Sequence, residues 1–529
     1  MLSKKIIFGS DARALMLNGI NKLSNAVKVT LGPKGNCVII GNVDKLPKVT
    51  KDGVSVAKEI ALENQFENVG AQLIREASVK TLNTVGDATT TSTVLAQKMI
   101  NLGAKALAEG KNPVKLQTGV NIAISSVVDF IKSKTIPIKD YDVKNIASIS
   151  ANNDSNIGEI ISHAFQQIGK DGIITVEESS NSLTNVNVIN GMQFDRGYLS
   201  QHFVTNSIKD VCVFENPYIL VTEHHISRMK DLGFILNQIA GEGRSLLIIA
   251  EDYDSEVLET LKLNFLQGTI KVCPIKAPSF GEYRKAILED IARLTNATSI
   301  TYESSREIYD VSLKDLGTCS KVVVSKDNTT IIGGKGDVIS RVRELKEELQ
   351  RVKKNPSLDG SFMIDFLSQR IAKLTGGIAV IYVGGTTEVE MNERRDRVED
   401  AVSATKAAIE EGVVLGGGLT YYNAAKYIHS IKNSDKSINA GIRLVEEALI
   451  EPFNVIVTNA GYKPKKLYNK LTNTVGFDAN KEMFVNMYKS GIIDPAKASR
   501  LALENAASVT NLFLSTECIV TPVADIPIF

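Results

Sequence analysis

Residues 86–94 read GDATTTSTV: one aspartate, three consecutive threonines, then the start of a long apolar-periodic stretch. Thr is β-branched and a mediocre helix former, whereas Asp and Thr suit a helix N-terminus, where free backbone N–H groups need acceptors. The stretch therefore opens a helix, and two chemical readings of it follow. Hydroxyls and carboxylate can simply cap the helix. Alternatively, N–H groups and hydroxyls at a helix start suit a phosphate, with the adjacent carboxylate suited to Mg2+.

The flanking sequence is helical in pattern. In residues 11–32, Ala14, Leu17, Ile20 and Leu23 recur at helical spacing up to the Gly32-Pro33 breaker, a second helix is expected over 70–84, and a third runs from the motif to about 109. Between the first two, NCVIIGNVDKLPKVTKDGVSVA (36–57) reads as two strands around a turn, with Asp52-Gly53 as a second turn. The centre changes character. VCVFENPYILVTE (211–223), SLLIIAEDY (245–253), IKVCPIKAP (270–278) and KVVVSKDNTTII (321–332) are short β-branched runs, separated by helical segments at 226–241 and 254–268. Strands alternating with helices predict an α/β domain. In RVRELKEELQRVKK (341–354), Val342, Leu345, Leu349 and Val352 share one face amid charges, which predicts an amphipathic helix with solvated flanks rather than a nucleic-acid tract. After the β-rich GGIAVIYVGG (376–385) the pattern is helical from about 394 onward. Helix-rich ends around a β-rich centre predict a multidomain α+β protein in which one helical domain is assembled from both ends and the rest is inserted.

Composition narrows the function. The 529 residues exceed what one core usually supports, so two or three domains are expected. Sixty-one basic against 60 acidic residues leave a net charge of +1, which gives no global argument for nucleic acid or an anionic membrane. Trp is absent and aromatics are 6%, which disfavours a stacking platform for single strands. Cys37, Cys212, Cys273, Cys319 and Cys518 are scattered without a C-x-x-C pair, which fits a reducing compartment. His224 and His225 are adjacent but have no metal-ligand spacing around them. MLSKKIIFGSDAR lacks the features of a signal or transit peptide, and no uncharged apolar run is long enough to span a bilayer.

Walker, Rossmann, kinase and serine-hydrolase signatures are all missing; GGKGDV (333–338) fits neither glycine spacing. A nucleotide would need another cradle. Its candidate pieces are TLGPKG (30–35), KDG (51–53), GDATTT (86–91), VED (398–400) and AAIEEGVVLGGG (407–418).

Those five pieces, in that order and at those separations, resemble the group I chaperonins, the bacterial and organellar GroEL family. TKDGVSVAKEI, GKDGIITVEE, GMQFDRGYLS, RKAILEDIA and DPAKASRLALENAASV extend the resemblance from about Lys4 to Thr521. It implies an equatorial ATP-binding domain (1–133 with 411–529), a small intermediate hinge domain (134–189 with 378–410) and an inserted α/β apical domain (190–377). Pro137 with Gly412, and Gly191 with Gly377, would be the hinges. The resemblance further implies that Thr89, Thr90 and Thr91 donate to nucleotide phosphates, that Asp87 ligates Mg2+, and that Thr30 and Lys51 help hold K+. Thr30, Leu31, Gly32 and Pro33 would wrap the nucleotide from the other side. Gly417 would lie close to the ribose, Asp494 would contact it, Asp478, Ala479 and Ile492 would contact the base, and Ile149 and Ser150 would complete the pocket. Asp400 matches the catalytic aspartate, with Asp52 a second carboxylate facing the same water.

Tyr198, Phe203, Leu236, Leu258 and Leu263 match apolar positions that bind unfolded chains and a GroES-type co-chaperonin. The implied assembly is a homo-oligomer of paired seven-membered rings, 14 subunits in all, acting on non-native polypeptide without nucleic acid or membrane. The implied location is bacterial cytoplasm, plastid stroma or mitochondrial matrix. Several residues depart from the pattern: Ala88 replaces a usual glycine, Asp478 and Asn480 differ near the base, and His202, Gly233 and Lys262 replace apolar or aromatic residues. The ending TPVADIPIF lacks Gly-Met repeats. The alternative reading is a divergent chaperonin serving as a holdase or assembly scaffold.

Overall fold

The computed structural model describes residues 4–41, 47–151, 154–169, 172–179, 183–207, 209–304, 306–354 and 360–522. The chain forms two compact units, Met1–His163 with Val176–Thr184 and Val383–Phe529, and Ala164–Thr175 with Asn185–Tyr382. The segments expected to make an intermediate domain, 134–189 and 378–410, are divided between these units, while 190–377 lies wholly in the second. All but the first two residues of TPVADIPIF fall outside the described residues.

The first unit is helical because its apolar residues recur every three or four positions. Gly9–Lys28 buries Met16, Ile20, Leu23 and Val27, and packs on Gln65–Val85 and Thr89–Ala108; Pro113–Lys134 packs on Lys436–Leu449, and Ala496–Ser515 lies against all but the first and last of these. Side chains start several of these helices: Asn64 accepts from the N–H groups of Phe66 and Glu67, Asn112 precedes Pro113, and Asp435 accepts from Ser437 and Ile438. Pro113–Lys134 is long and apolar enough to cross a bilayer, but Leu116, Val120, Ala123, Val127 and Ile131 lie in this core.

Gly19 and Gly70 let two helices meet backbone to backbone. A Cβ on Gly70 would lie 2.1 Å from the carbonyl oxygen of Met16, and one on Gly19 would lie 1.7 Å from that of Glu67. The two chain ends close the unit: Lys4–Phe8 pairs antiparallel with Cys518–Pro522, Lys4 opposite Pro522 and Phe8 opposite Cys518.

Local differences from the sequence expectations have physical causes. The first helix ends at Lys28, before Gly32, because Asn36 donates to the Val29 carbonyl and turns the chain back. The expected strand pair is present as Val38–Ile40 against Lys48–Thr50, with residues 42–46 outside the described set. The C-terminal half is not purely helical: Val475–Asp478 and Met483–Asn486 form a hairpin, and Val413–Leu415 pairs with Ile493–Pro495. These strands are only three or four residues long, too short for an alternation to register.

The second unit is an α/β sandwich. Its main sheet runs Val272–Lys276, Leu246–Ala250, Tyr218–Val221, Gly317–Val324, Thr329–Gly334, Gly191–Phe194; the first three strands are parallel and the others antiparallel. The parallel strands are joined through Met229–Glu242 and Ser255–Leu266. In Val338–Lys354, Val342 and Leu345 are buried and Leu349 and Val352 pack beside them, as their spacing predicts. Asp290, fully buried, accepts from Arg370 Nε at 2.6 Å and Nη2 at 2.8 Å and from Arg341 Nε at 2.8 Å, tying three helices together. A buried carboxylate is tolerated when its oxygens are this fully occupied.

Gly70→Ala forces backbone against backbone and should destabilise the first unit by about 1–3 kcal/mol. Gly233→Ala lies mid-helix with nothing within 4 Å of the added carbon, and should be neutral or stabilising. Urea unfolding midpoints of the two variants check this; equal midpoints would refute the packing assignment.

Candidate functional site

The opening motif lies between two helices of the first unit. Gly86 closes Gln65–Val85 in the left-handed conformation (φ 73°), donating to the Leu82 carbonyl at 2.7 Å. Ala88 is also left-handed (φ 61°, ψ 20°) and precedes Thr89–Ala108. For an L-residue that conformation costs about 1–2 kcal/mol, so the methyl that replaces the usual glycine is held under backbone strain. No side chain caps Thr89–Ala108. Asp87 instead accepts the Ala88 N–H through Oδ1 at 2.5 Å and the Ser150 hydroxyl through Oδ2 at 3.1 Å. Of the two readings of GDATTT, simple capping is therefore not realised, and the first N–H groups of the helix point outward without an intrahelical acceptor.

Three of the five sequence pieces interlock here. Thr90 Oγ1 lies 3.5 Å from Thr30 Oγ1, and Thr30 donates to the Val27 carbonyl at 2.9 Å. Asp52 caps Gly53–Glu59, accepting from Val54 at 3.1 Å and Ser55 at 2.9 Å. A Cβ on Gly53 would meet Thr90 Oγ1 at 2.1 Å, so a larger residue in the KDG turn would have to displace the Thr90 hydroxyl. Thr89 is buried and its carbonyl accepts from Ser78 and Thr93, while Thr90 and Thr91 are half-buried on the same turn.

Asp400 lies on Glu388–Glu411 and completes a set of carboxylates. Burial first, then the charges of Asp52, Asp87, Asp396 and Glu399, hold its carboxyl well above the usual range. Burial also raises Asp87, against the N–H of Ala88 and the Ser150 hydroxyl, which favour its charged form. Asp494 is pushed up to about 7 by burial and by Asp87. Asp52, Asp87, Asp400 and Asp494, all half-buried, thus lie near enough that Asp52 and Asp87 bear on Asp400, and Asp87 on Asp494. Among the described residues no three His, Cys, Asp or Glu side chains close up into a metal-ligand set.

The glycine triplet builds another wall. Val414 pairs with Asp494, and a Cβ on Gly416 would lie 2.9 Å from Asp494 Oδ1. Gly417 (φ 62°) faces Met487, whose Cε would lie 2.7 Å from an added Cβ; Ile492 is close behind. Asp478 and Ala479 are buried at the start of the hairpin turn, and Asp478 Oδ1 accepts from the N–H groups of Asn480 and Lys481. Ile149 is half-buried at the end of Asp140–Ser150. Leu31, Gly32 and Pro33 are half-buried in the loop after Gly9–Lys28. Lys51 is half-buried in the turn immediately before Asp52. A residue that the motifs did not flag fixes the loop, because Asn459 Nδ2 donates to the carbonyls of Lys28 at 3.0 Å and Leu31 at 2.9 Å. A lone Asn at a helix end carries no signal for this role.

The apolar positions of the second unit are a partial correction. Phe203 and Leu236 are core residues at 0% and 3% exposure, since Phe203 packs edge-on against Phe265 and Leu236 lies on the buried face of Met229–Glu242. Neither presents a surface to a partner. Tyr198 is half-buried and donates to Asp210 at 3.0 Å, and Leu258 packs against the core. Leu263 is 55% exposed. Phe234 and Leu266, on the same two helices as Leu236 and Leu263, are both 57% exposed and carry no mark in the motifs. Leu266 was legible as the residue one turn beyond Leu263. His202 is exposed beside Ser200, and Lys262 pairs with Glu259 at 3.0 Å.

Residues 23–523 match the model of the TCP-1/cpn60 chaperonin family. Among solved structures, the chain is similar to the chaperonin gp146 from the bacteriophage EL 2 (Pseudomonas aeruginosa), crystallised in the presence of ATP-BeFx. Identity is 21%, covering 98% of this chain and 99% of that one, with TM-scores of 0.68 for crystal form II and 0.63 for form I. At that identity the likeness is one of fold, and it agrees with the family match: this chain belongs to the TCP-1/cpn60 chaperonin family.

Proposed function

We propose that this chain is an ATP-driven folding chaperonin of the group I type. The observation that carries the reading is the meeting of the 30–35 loop, Asp52, Asp400 and the uncapped start of Thr89–Ala108 in one unit of a chaperonin-family chain. The N–H groups and hydroxyls of Thr89, Thr90 and Thr91 would take phosphate oxygens, as helix N-termini do. Thr30, Leu31, Gly32 and Pro33 would cover the nucleotide from one side. Gly417, Asp478, Ala479, Ile492 and Asp494 would line the base and ribose, with Ile149 and Ser150 closing the pocket.

The donor set suits Mg2+, which typically takes one or two protein carboxylates beside phosphate oxygens and water; Asp87, hemmed in by acids, is that carboxylate. For K+, Thr30 and Lys51 would offer carbonyl and hydroxyl oxygens, since an ammonium is no ligand. Bound cations supply charge that offsets the phosphates. Asp400 orients a water, and as the water oxygen bonds to the γ-phosphorus and the β–γ bridging bond breaks, Asp400 takes the proton. Its raised affinity for protons makes it a stronger base than an exposed carboxylate.

In the second unit, exposed Phe234, Leu263 and Leu266 would capture non-native chain by burying apolar surface on both sides. Seven-membered rings, paired and capped by a GroES-type lid, complete the reading, in a reducing compartment such as bacterial cytoplasm or an organellar matrix. Burial of Phe203 and Leu236 favours a second reading, a holdase or scaffold with a narrower capture face.

The deciding experiment is the refolding yield of a denatured, aggregation-prone enzyme with ATP and a matched lid. Recovery is expected to need both, and Asp400→Ala should abolish it by slowing ATP turnover at least a hundredfold while nucleotide still binds. Capture without lid-dependent recovery would establish the holdase instead.

Two further outcomes are expected. Ala88→Gly relieves about 1 kcal/mol of strain, so its unfolding midpoint should rise; a fall would show that Ala88 is not left-handed. Asp494, raised from 3.8 to about 7, favours the folded state fully below pH 3.8 and loses that contribution as pH rises through 7. Without nucleotide, the wild type should therefore lose stability over that window relative to Asp494→Asn, measured by denaturant titration at each pH.

A further inference from the structure

Three side chains bridge the outer edge of the cradle just described. Lys34, near the end of the 30–35 loop, forms an ion pair with Glu482 through Oε1, and the Tyr462 hydroxyl donates to Glu482 Oε2 at 2.5 Å. One carboxylate therefore joins three separate pieces of chain. Glu482 occupies the hairpin turn between Val475–Asp478 and Met483–Asn486 with φ 58°, uncommon for a non-glycine residue. The turn is shaped by Asp478, whose Oδ1 accepts from Asn480 at 2.9 Å and Lys481 at 3.1 Å. The residue assigned to face the base thus also presents Glu482 to the opposite loop.

Each piece is anchored on its far side. Tyr462 packs edge-on against Phe477 with centroids 5.3 Å apart, and Phe477 meets Phe484 at 5.5 Å, so the hydroxyl is fixed to the hairpin. Gly35 donates to the Gly32 carbonyl at 2.9 Å, and Asn459 holds the start of the loop through Lys28 and Leu31. The loop and the hairpin cannot separate at their tips without breaking the Lys34–Glu482 pair. Its side chains are 36% and 41% exposed, so the pair is weak and open to screening by salt. That is the strength a latch needs if it is to open in every cycle.

We propose that Lys34, Glu482 and Tyr462 form a clasp that closes the 30–35 loop against the hairpin over bound nucleotide and limits its release. The clasp rests on the ATP-binding reading above. It makes Lys34 and Glu482 positioning residues that control occupancy of the site without taking part in hydrolysis.

The test is stopped-flow release of N-methylanthraniloyl-ADP from the full chain. Lys34→Ala and Glu482→Gln should each release it about two- to fivefold faster, the range an exposed ion pair can supply. Tyr462→Phe should give a smaller acceleration. Between about 0.05 and 0.5 M salt, wild-type release should speed up while Lys34→Ala stays flat, and the Lys34→Glu/Glu482→Lys exchange should restore the salt dependence. Unchanged release in both Lys34→Ala and Glu482→Gln would overturn the clasp and leave the ATP reading intact. Failure of the wild type to bind the fluorescent nucleotide would overturn both.

Discussion

Like charges crowded away from water are the constraint on which the first unit turns. Burial raises the proton affinity of Asp87, Asp400 and Asp494, and neighbouring charge adds to it: Asp52 acts on Asp87 and Asp400, and Asp87 on Asp400 and Asp494. Left to relax, such a cluster would spread apart or take up protons. It is held because each acid sits on rigid scaffolding: Asp52 caps a helix, Asp87 lies in a turn bounded by two left-handed residues, Asp400 rides a 24-residue helix, and Asp494 is locked into a strand pair. The close helix contacts at Gly19 and Gly70 make that scaffolding stiff. Strain and perturbed carboxylates held in place this way are usual companions of a functional site.

Much of this was legible in the amino-acid order. Helical periodicity located Gly9–Lys28, Gln65–Val85 and Thr89–Ala108 to within a few residues, because long amphipathic segments carry a redundant signal. The helix-rich ends and β-rich centre foretold that the two termini share a unit, which the Lys4–Pro522 pairing makes concrete. Short elements were not legible: Met483–Asn486 offers four residues, too few to separate alternation from chance. Within the site, the type of residue could be read but not its setting. That Ala88 is left-handed, that Asn459 reaches two carbonyls of the loop, and that Gly53 makes room for a threonine hydroxyl all depend on contacts between residues far apart in sequence.

The second unit shows the same limit from the other side. Phe203 and Leu236 have the apolar character that a capture surface needs, yet the fold spends them on its core, while Phe234 and Leu266 face water. Apolar character is necessary for either role, and only the face of the helix decides which one is played. The surface left exposed combines large apolar groups with a neighbouring Lys262–Glu259 pair.

The pairing of Lys4–Phe8 with Cys518–Pro522 also bears on how the molecule is made. On the ribosome, the first strand must wait for more than 500 residues to be synthesised before its partner exists. Through most of that interval the inserted unit, whose sheet is built from a continuous central stretch, has everything it needs to fold. The order of assembly is therefore set by topology: the middle matures first and the ends close last. Deleting Cys518–Pro522 would therefore leave Lys4–Phe8 as unpaired at the end of synthesis as it was throughout it.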